Sequence, residues 1–207
     1  MSDLILLRHG ETTGQSSIRF YGLTDIPLSD FGIIQMERTG NFLQDYRFNT
    51  VIASPLQRSI NSALIVLNGR SHDITIVNDF REINFGEWEG LTKEEIFARN
   101  PASYHKWHER GSFEEFPGGD DRNVFFNRVK RAALNVFASS EPPTLAVLHK
   151  GVIRAILSAL LNITVEELMP HPIELGSIHR LENTAYGWKL TGRNETEHLG
   201  EYRKENS

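Results

Sequence analysis

Leu4–Thr12 reads L-I-L-L-R-H-G-E-T. A short aliphatic run with no polar alternation predicts a strand buried on both faces, as in a parallel sheet. Arg8, His9 and Gly10 follow where that strand must end. In open α/β sheets ligands sit at the carboxyl ends of the parallel strands, so a reactive side chain placed there needs only a short turn to face one. Gly10 allows that turn. By themselves Arg8 and His9 could equally begin a solvated loop, since short motifs match often by chance.

The chain has 207 residues, enough for a sizeable core, and is read as one domain over 1–207. Its net charge of −5 argues against a general nucleic-acid binder, which needs a basic face. There is no cysteine, which removes disulfides, thiolate nucleophiles and cysteine-held metals. No signal-like segment opens the chain, and no apolar run approaches the roughly 18 residues of a membrane span. A cytoplasmic protein with no membrane or nucleic-acid partner is expected, and a homodimer is left open.

Working outward, 15–28 reads as a loop. Ser29 caps a helix to about Tyr46 with Ile33, Ile34, Met36, Phe42 and Leu43 as its apolar stripe. T-V-I-A at Thr50–Ala53 is a second strand. Ser54-Pro55 opens a helix to Leu67, with Arg58 in its first turn. Ile74–Val77 is a third strand. Residues 83–121 break the alternation and read as an insertion over the strand ends, its aromatics a candidate lid. Within it Thr92 and Glu95 form a capping box, Pro101 closes that helix, and a further helical piece spans Ala102–Arg110. Asp120 or Asp121 caps a long helix with Val124, Phe125, Val129, Ala132, Val136 and Phe137 inward. T-L-A-V-L at Thr144–Leu148 is another buried strand, ending at His149. An apolar helix over Gly151–Leu161, a capping box at Thr164 and Glu167, and an antiparallel pair at Gly176–Glu182 and Gly187–Thr191 complete the chain.

The pattern predicts an α/β three-layer sandwich with a mostly parallel central sheet flanked by helices. His9 and His149 each follow one of its most apolar strands. If those strands are neighbours, the two imidazoles meet at one sheet edge.

Six blocks stand out: R-H-G-E-T at Arg8–Thr12, G-L-T-D-I-P-L-S at Gly22–Ser29, S-P-L-Q-R at Ser54–Arg58, R-E-I-N-F-G-E-W-E-G at Arg81–Gly90, P-G-G at Pro117–Gly119 and H-K-G-V-I-R at His149–Arg154. In this order they resemble the histidine phosphatase superfamily, the phosphoglycerate mutase-like enzymes, from Leu4 to about Asn183. The resemblance implies a phosphomonoester hydrolase working through a phosphohistidine on a small phosphorylated metabolite, without a cofactor. By motif, His9 would be the nucleophile, Arg8, Arg58 and His149 would hold the phosphoryl oxygens, and Glu82 would donate the proton. Gln15, Gly22, Thr24, Arg81 and Lys150 would contact the substrate.

The chemistry asks for these residue types independently. A transferring phosphoryl group spreads negative charge over three oxygens, which arginines and a protonated His149 can surround. Cations around His9 disfavour its protonation and bind the substrate. No metal is expected. His105 and His108 are spaced to pair on one, but no hydrolytic zinc pattern completes them, and they read as surface or lid residues.

Three departures from the family pattern bear on the substrate: Gln15 where asparagine is usual, Lys150 where glycine commonly follows the second histidine, and Asp120-Asp121 in place of Glu-Ser. Two alternatives stay open, a cofactor-dependent phosphoglycerate mutase and a non-catalytic phospho-ligand binding module.

Overall fold

The computed structural model describes residues 3–14, 16, 18–110 and 115–203, and of 108–110 the backbone alone. The strands are β1 (Leu4–Arg8), β2 (Thr50–Ala53), β3 (Ile74–Ile76), β4 (Thr144–Leu148), β5 (Ile178–Thr184) and β6 (Gly187–Glu195). They form one six-stranded sheet in the order β3, β2, β4, β1, β5, β6. The first four strands are parallel; β5 turns back antiparallel to β1, and β6 pairs antiparallel with β5. The helices are α1 (Asp30–Phe42), α2 (Gln57–Leu67), α3 (Lys93–Arg99), α4 (Pro101–Arg110), α5 (Arg122–Ser139), α6 (Lys150–Leu161) and α7 (Val165–Leu168).

The unbroken aliphatic strands serve both faces of the sheet. Leu4, Leu6, Ala146 and Leu148 pack with Phe125 and Val129 of α5 and Val152 and Ile156 of α6. Ile5, Leu7, Leu145 and Val147 pack with Met36 of α1 and Ala63 and Val66 of α2. Alternate residues of a strand point to opposite faces, so both helical layers need an apolar partner at every position. The result is the expected three-layer α/β fold. Among the described residues no helix is long and apolar enough to cross a membrane.

Three local expectations are corrected. Helix α1 ends at Phe42, not Tyr46, because Tyr46 is drawn away to stack on Phe48 and hydrogen-bond Arg180. Its buried face is Gly32, Gln35, Met36, Thr39 and Gly40, while Phe42 lies 49 % exposed. The small face lets the backbone of α1 close onto the turn after β1: a Cβ on Gly32 would collide with the Glu11 carbonyl. In α5, Val124 is 66 % exposed. It sits one residue, about 100° of rotation, from Phe125, and Phe125, Val129, Ala132, Ala133 and Phe137 already fill the inward stripe.

The described residues of 83–121 pack through rings. Phe20 meets Phe85 and Trp107 edge to face at 5.2 and 5.7 Å, and Phe116 meets Phe85 at 5.0 Å. Thr92 and Glu95 make the expected capping box, and Pro101 both stops α3 and opens α4. Asp121 caps α5, whereas Asp120 accepts from the Asn84 N–H at 3.0 Å and ties the two ends of the insertion together.

Candidate active site

Strands β1 and β4 are parallel neighbours with Arg8 opposite Leu148, so the residues that follow them, His9 and His149, emerge side by side. The imidazole centroids lie 5.1 Å apart at 62°. The turn carrying His9 is gripped from two helices: the Glu11 N–H donates to Gln35 of α1 at 2.9 Å, and the Gly10 N–H to Ser62 of α2 at 3.3 Å.

His9 Nδ1 lies 2.7 Å from the Gly10 carbonyl oxygen. A carbonyl can only accept, so Nδ1 carries the hydrogen and a neutral ring keeps its lone pair on Nε2. Burial, then Arg58 and Arg8, pushes the His9 pKa well below the ordinary imidazole value. The ring is therefore neutral at physiological pH, with a lone pair available on Nε2.

The cations are fastened from behind. Arg8 donates to the Ile173 carbonyl at 2.7 Å. Burial lowers its pKa to about 10, leaving it charged at neutral pH. Arg58, 1 % exposed, donates to the carbonyls of Thr24 at 2.8 Å and Gly22 at 2.6 Å. Yet Arg8 Nε, Arg58 Nε and His149 Nδ1 are buried without a partner. An unsatisfied buried polar group costs about 1–3 kcal/mol, and charged ones more, a cost that acceptor oxygens of a ligand would relieve.

Burial, then Arg58, His9 and Arg8, holds the His149 pKa well below the ordinary value, which favours a neutral ring. Ser54 Oγ accepts from the Leu56 N–H at 3.3 Å and stands 2.6 Å from His149 Nε2, to which its own proton can go. That arrangement leaves the hydrogen on Nδ1, and His149 can serve as a neutral donor.

Glu82 is 5 % exposed, and its carboxyl oxygens accept from the N–H groups of Ile83 and Gly151, each at 2.9 Å. A Cβ on Gly151 would stand 2.5 Å from Glu82 Oε1, so this approach of carboxyl to helix requires glycine. Burial raises the Glu82 pKa against the opposing pull of those hydrogen bonds and of Arg58 and Arg8. It is a better proton reservoir than an exposed glutamate.

Arg8, His9, Glu82 and Lys150 line a cavity of about 460 Å³ whose outer wall includes Phe20, Tyr21, Phe85 and Lys93. Arg58 and His149 are not in that wall, and both are 1 % exposed. Lys150, first in α6, has its pKa lowered to about 7 by burial, then by Arg8 and Arg154.

The other expected substrate contacts divide. Gly22 and Thr24 turn their carbonyls to Arg58, and their N–H groups are taken by Glu89. They support the site and do not face the cavity. Arg81 is half-buried and absent from the cavity wall. Gln15 lies outside the described residues, as does the side chain of His108. Among the described residues no group of three or more potential metal ligands converges.

Glu89 escaped the sequence reading. It accepts from the N–H groups of Gly22, Leu23, Thr24 and Phe85 and from the Thr24 hydroxyl at 2.6 Å. It thus pins the loop whose carbonyls hold Arg58. Its one signal was a carboxylate amid aromatic and glycine residues. Arg154 was visible as a lone charge in an apolar helix but drew no role.

Comparison with known proteins gives the family. Residues 4–196 match the family model of the histidine phosphatase superfamily, branch 1. Phosphoserine phosphatase 1 of Hydrogenobacter thermophilus is 30 % identical over 206 residues, 98 % of this chain and 96 % of that protein. The adenosylcobalamin/alpha-ribazole phosphatase of Salmonella typhimurium is 28 % identical, covering 84 % of this chain and 86 % of its own. Among solved structures, Bacillus stearothermophilus YhfR superposes with a TM-score of 0.83 at 26 % identity, covering 96 % of this chain and all of that one.

Proposed function

The chain belongs to the histidine phosphatase superfamily, and from that premise we propose that it hydrolyses small phosphomonoesters through a phosphohistidine on His9. The observation that carries the reading is a neutral imidazole, its Nδ1 fixed by the Gly10 carbonyl, set among cations with buried unpartnered N–H groups. Nε2 of His9 attacks phosphorus, the ester P–O bond breaks, and its electron pair leaves on the alcohol oxygen, which takes the proton of Glu82. Glu82, now a carboxylate, takes a proton from water as that oxygen attacks phosphorus. The N–P electrons return to Nε2, and inorganic phosphate leaves. Arg8, Arg58 and the His149 Nδ1–H answer the charge on the equatorial oxygens throughout. Lys150 would add its charge from the cavity wall. No metal is assigned a part.

Rapid quench with phosphorus-labelled ester should trap an acid-labile, base-stable adduct on His9, and His9→Ala should lower turnover by about 10⁴-fold or more. Turnover should survive EDTA; loss restored by a divalent ion would move the charge stabilisation to a metal. Full activity in the alanine variant would sink the mechanism. A mutase reading would gain if, with 3-phosphoglycerate and catalytic 2,3-bisphosphoglycerate, isomerisation far outran phosphate release.

A further inference from the structure

Glu82 also lines a second cavity, of about 160 Å³, with walls that include Phe116, Phe125, Phe126, Met169 and Arg154. Glu82, Phe85 and Lys150 line both cavities. If Glu82 protonates the leaving oxygen, the bond that breaks lies on the boundary, with the phosphoryl group on the side of His9 and the alcohol free to extend into the second cavity. The volume is close to the roughly 150 Å³ at which an apolar cavity accepts a benzene ring, and Phe85, Trp107, Phe116, Phe125 and Phe126 supply flat apolar wall.

Besides Glu82 and Lys150, two guanidinium groups stand in this cavity's wall, Arg122, which reaches Met169 Sδ at 3.5 Å, and Arg154. Arg154, in the middle of α6, is 8 % exposed, its Nε has no partner, and its Nη2 reaches the His171 carbonyl only at 3.5 Å. Among the described residues no carboxylate forms an ion pair with it. The carboxylate it feels most, Glu82, is occupied by Ile83 and Gly151. A buried guanidinium without a counter-charge is costly and is expected where a ligand supplies the charge.

We propose that this cavity takes the alcohol part of the substrate, and that this part has an aromatic or similarly flat apolar body ending in a second anionic group that pairs with Arg154. The inference rests on the phosphatase reading and narrows it to doubly anionic phosphomonoesters with an apolar spacer.

The test uses the whole protein and three esters whose phenols are of nearly equal acidity: 4-tolyl phosphate, 4-(carboxymethyl)phenyl phosphate and 4-(phosphonomethyl)phenyl phosphate. One or both of the doubly anionic esters should exceed the tolyl ester in kcat/KM by about 10- to 100-fold, as a charge-assisted contact implies; which one does distinguishes a carboxylate from a second phosphoryl-like group. In Arg154→Met that ratio should fall to about one, and Arg154→Lys should restore part of it. Should Arg154→Met fail to fold, Met169→Glu at the 40 % exposed rim should cut the ratio several-fold. Equal turnover of all three esters by the native protein, or a ratio unmoved by these substitutions, overturns the inference and leaves the phosphatase reading standing. Turnover of none would sink that reading itself.

Discussion

At the sheet edge His9, Arg8, Arg58 and Glu82 are each fixed by a backbone carbonyl or N–H group, whereas Phe85, Trp88, Trp107 and Phe116 of the insertion hold one another by ring contacts. The first kind of anchor is directional and fails when one atom is moved. The second is spread over area and tolerates rearrangement. Positioning of a transferring group needs the first, while a wall that admits an alcohol of some particular shape can be built with the second. Substitutions at the edge should therefore act on the rate of chemistry, and substitutions among the rings on which ester is preferred.

The largest effect that would sharpen this contrast is at Glu82. Glu82→Gln should slow alkyl phosphates by about 10²- to 10⁴-fold while p-nitrophenyl phosphate, whose leaving group needs little protonation, loses far less. The sign of the pH dependence follows from the raised pKa. Below that pKa the proton is present and alkyl esters are cleaved; as pH rises through it the acid form is lost, so phosphorylation slows on the alkaline side. In the glutamine variant that limb should flatten. Equal loss on both esters would place the acid elsewhere.

Glu89 offers a way to break the contrast, because it belongs to the insertion yet holds the edge. Glutamine keeps one acceptor oxygen and replaces the other by a donor, so about half of the bonds to Gly22, Leu23 and Thr24 should go. Glu89→Gln should loosen Arg58 and lower kcat/KM by about 10-fold for every ester alike, with vanadate inhibition weakened in parallel. A change confined to one ester would mean that Glu89 serves the alcohol side.

What could be read from the sequence follows the same division. His9 and His149 were legible because an apolar run of strand length ends abruptly in a polar residue, and parallel pairing then brings such ends together. The capping boxes at Thr92 and Thr164 were legible because the pattern is local. Gly22 and Thr24 were placed at the site by motif, but their part as carbonyl props for Arg58 needs the fold. Glu89 and the ring cluster were not legible, since contacts between Phe20, Trp88 and Trp107 have no sequence period. Of the apolar stripe assigned to α1, Met36 and Leu43 are buried and Ile33 packs against the core, whereas Phe42 is exposed, because close backbone approach at Gly32 and Gly40 shapes the inward face. The neutral His149 depends on burial and on three charged or ring neighbours from other elements.

Lys150 carries the smallest predicted effect, and it bears on both regions because it lines both cavities. An ammonium at the first position of a helix meets the unfavourable end of the dipole, and here burial and Arg8 add to the cost, lowering its pKa from 10.5 to about 7. Below pH 7 both folded and unfolded chains hold the proton, and the folded chain bears the full penalty. Between about 7 and 10.5 the unfolded chain binds more protons, so stability rises with pH, and above that window the penalty is gone. Lys150→Met should then raise the melting temperature by about 5 °C at pH 6 and by less at pH 9. Vanadate, an anion in the same pocket, should shrink the difference by restoring a counter-charge to the lysine. A gain that is the same at both pH values would show that the side chain's shape, and not its charge, is what the site resists.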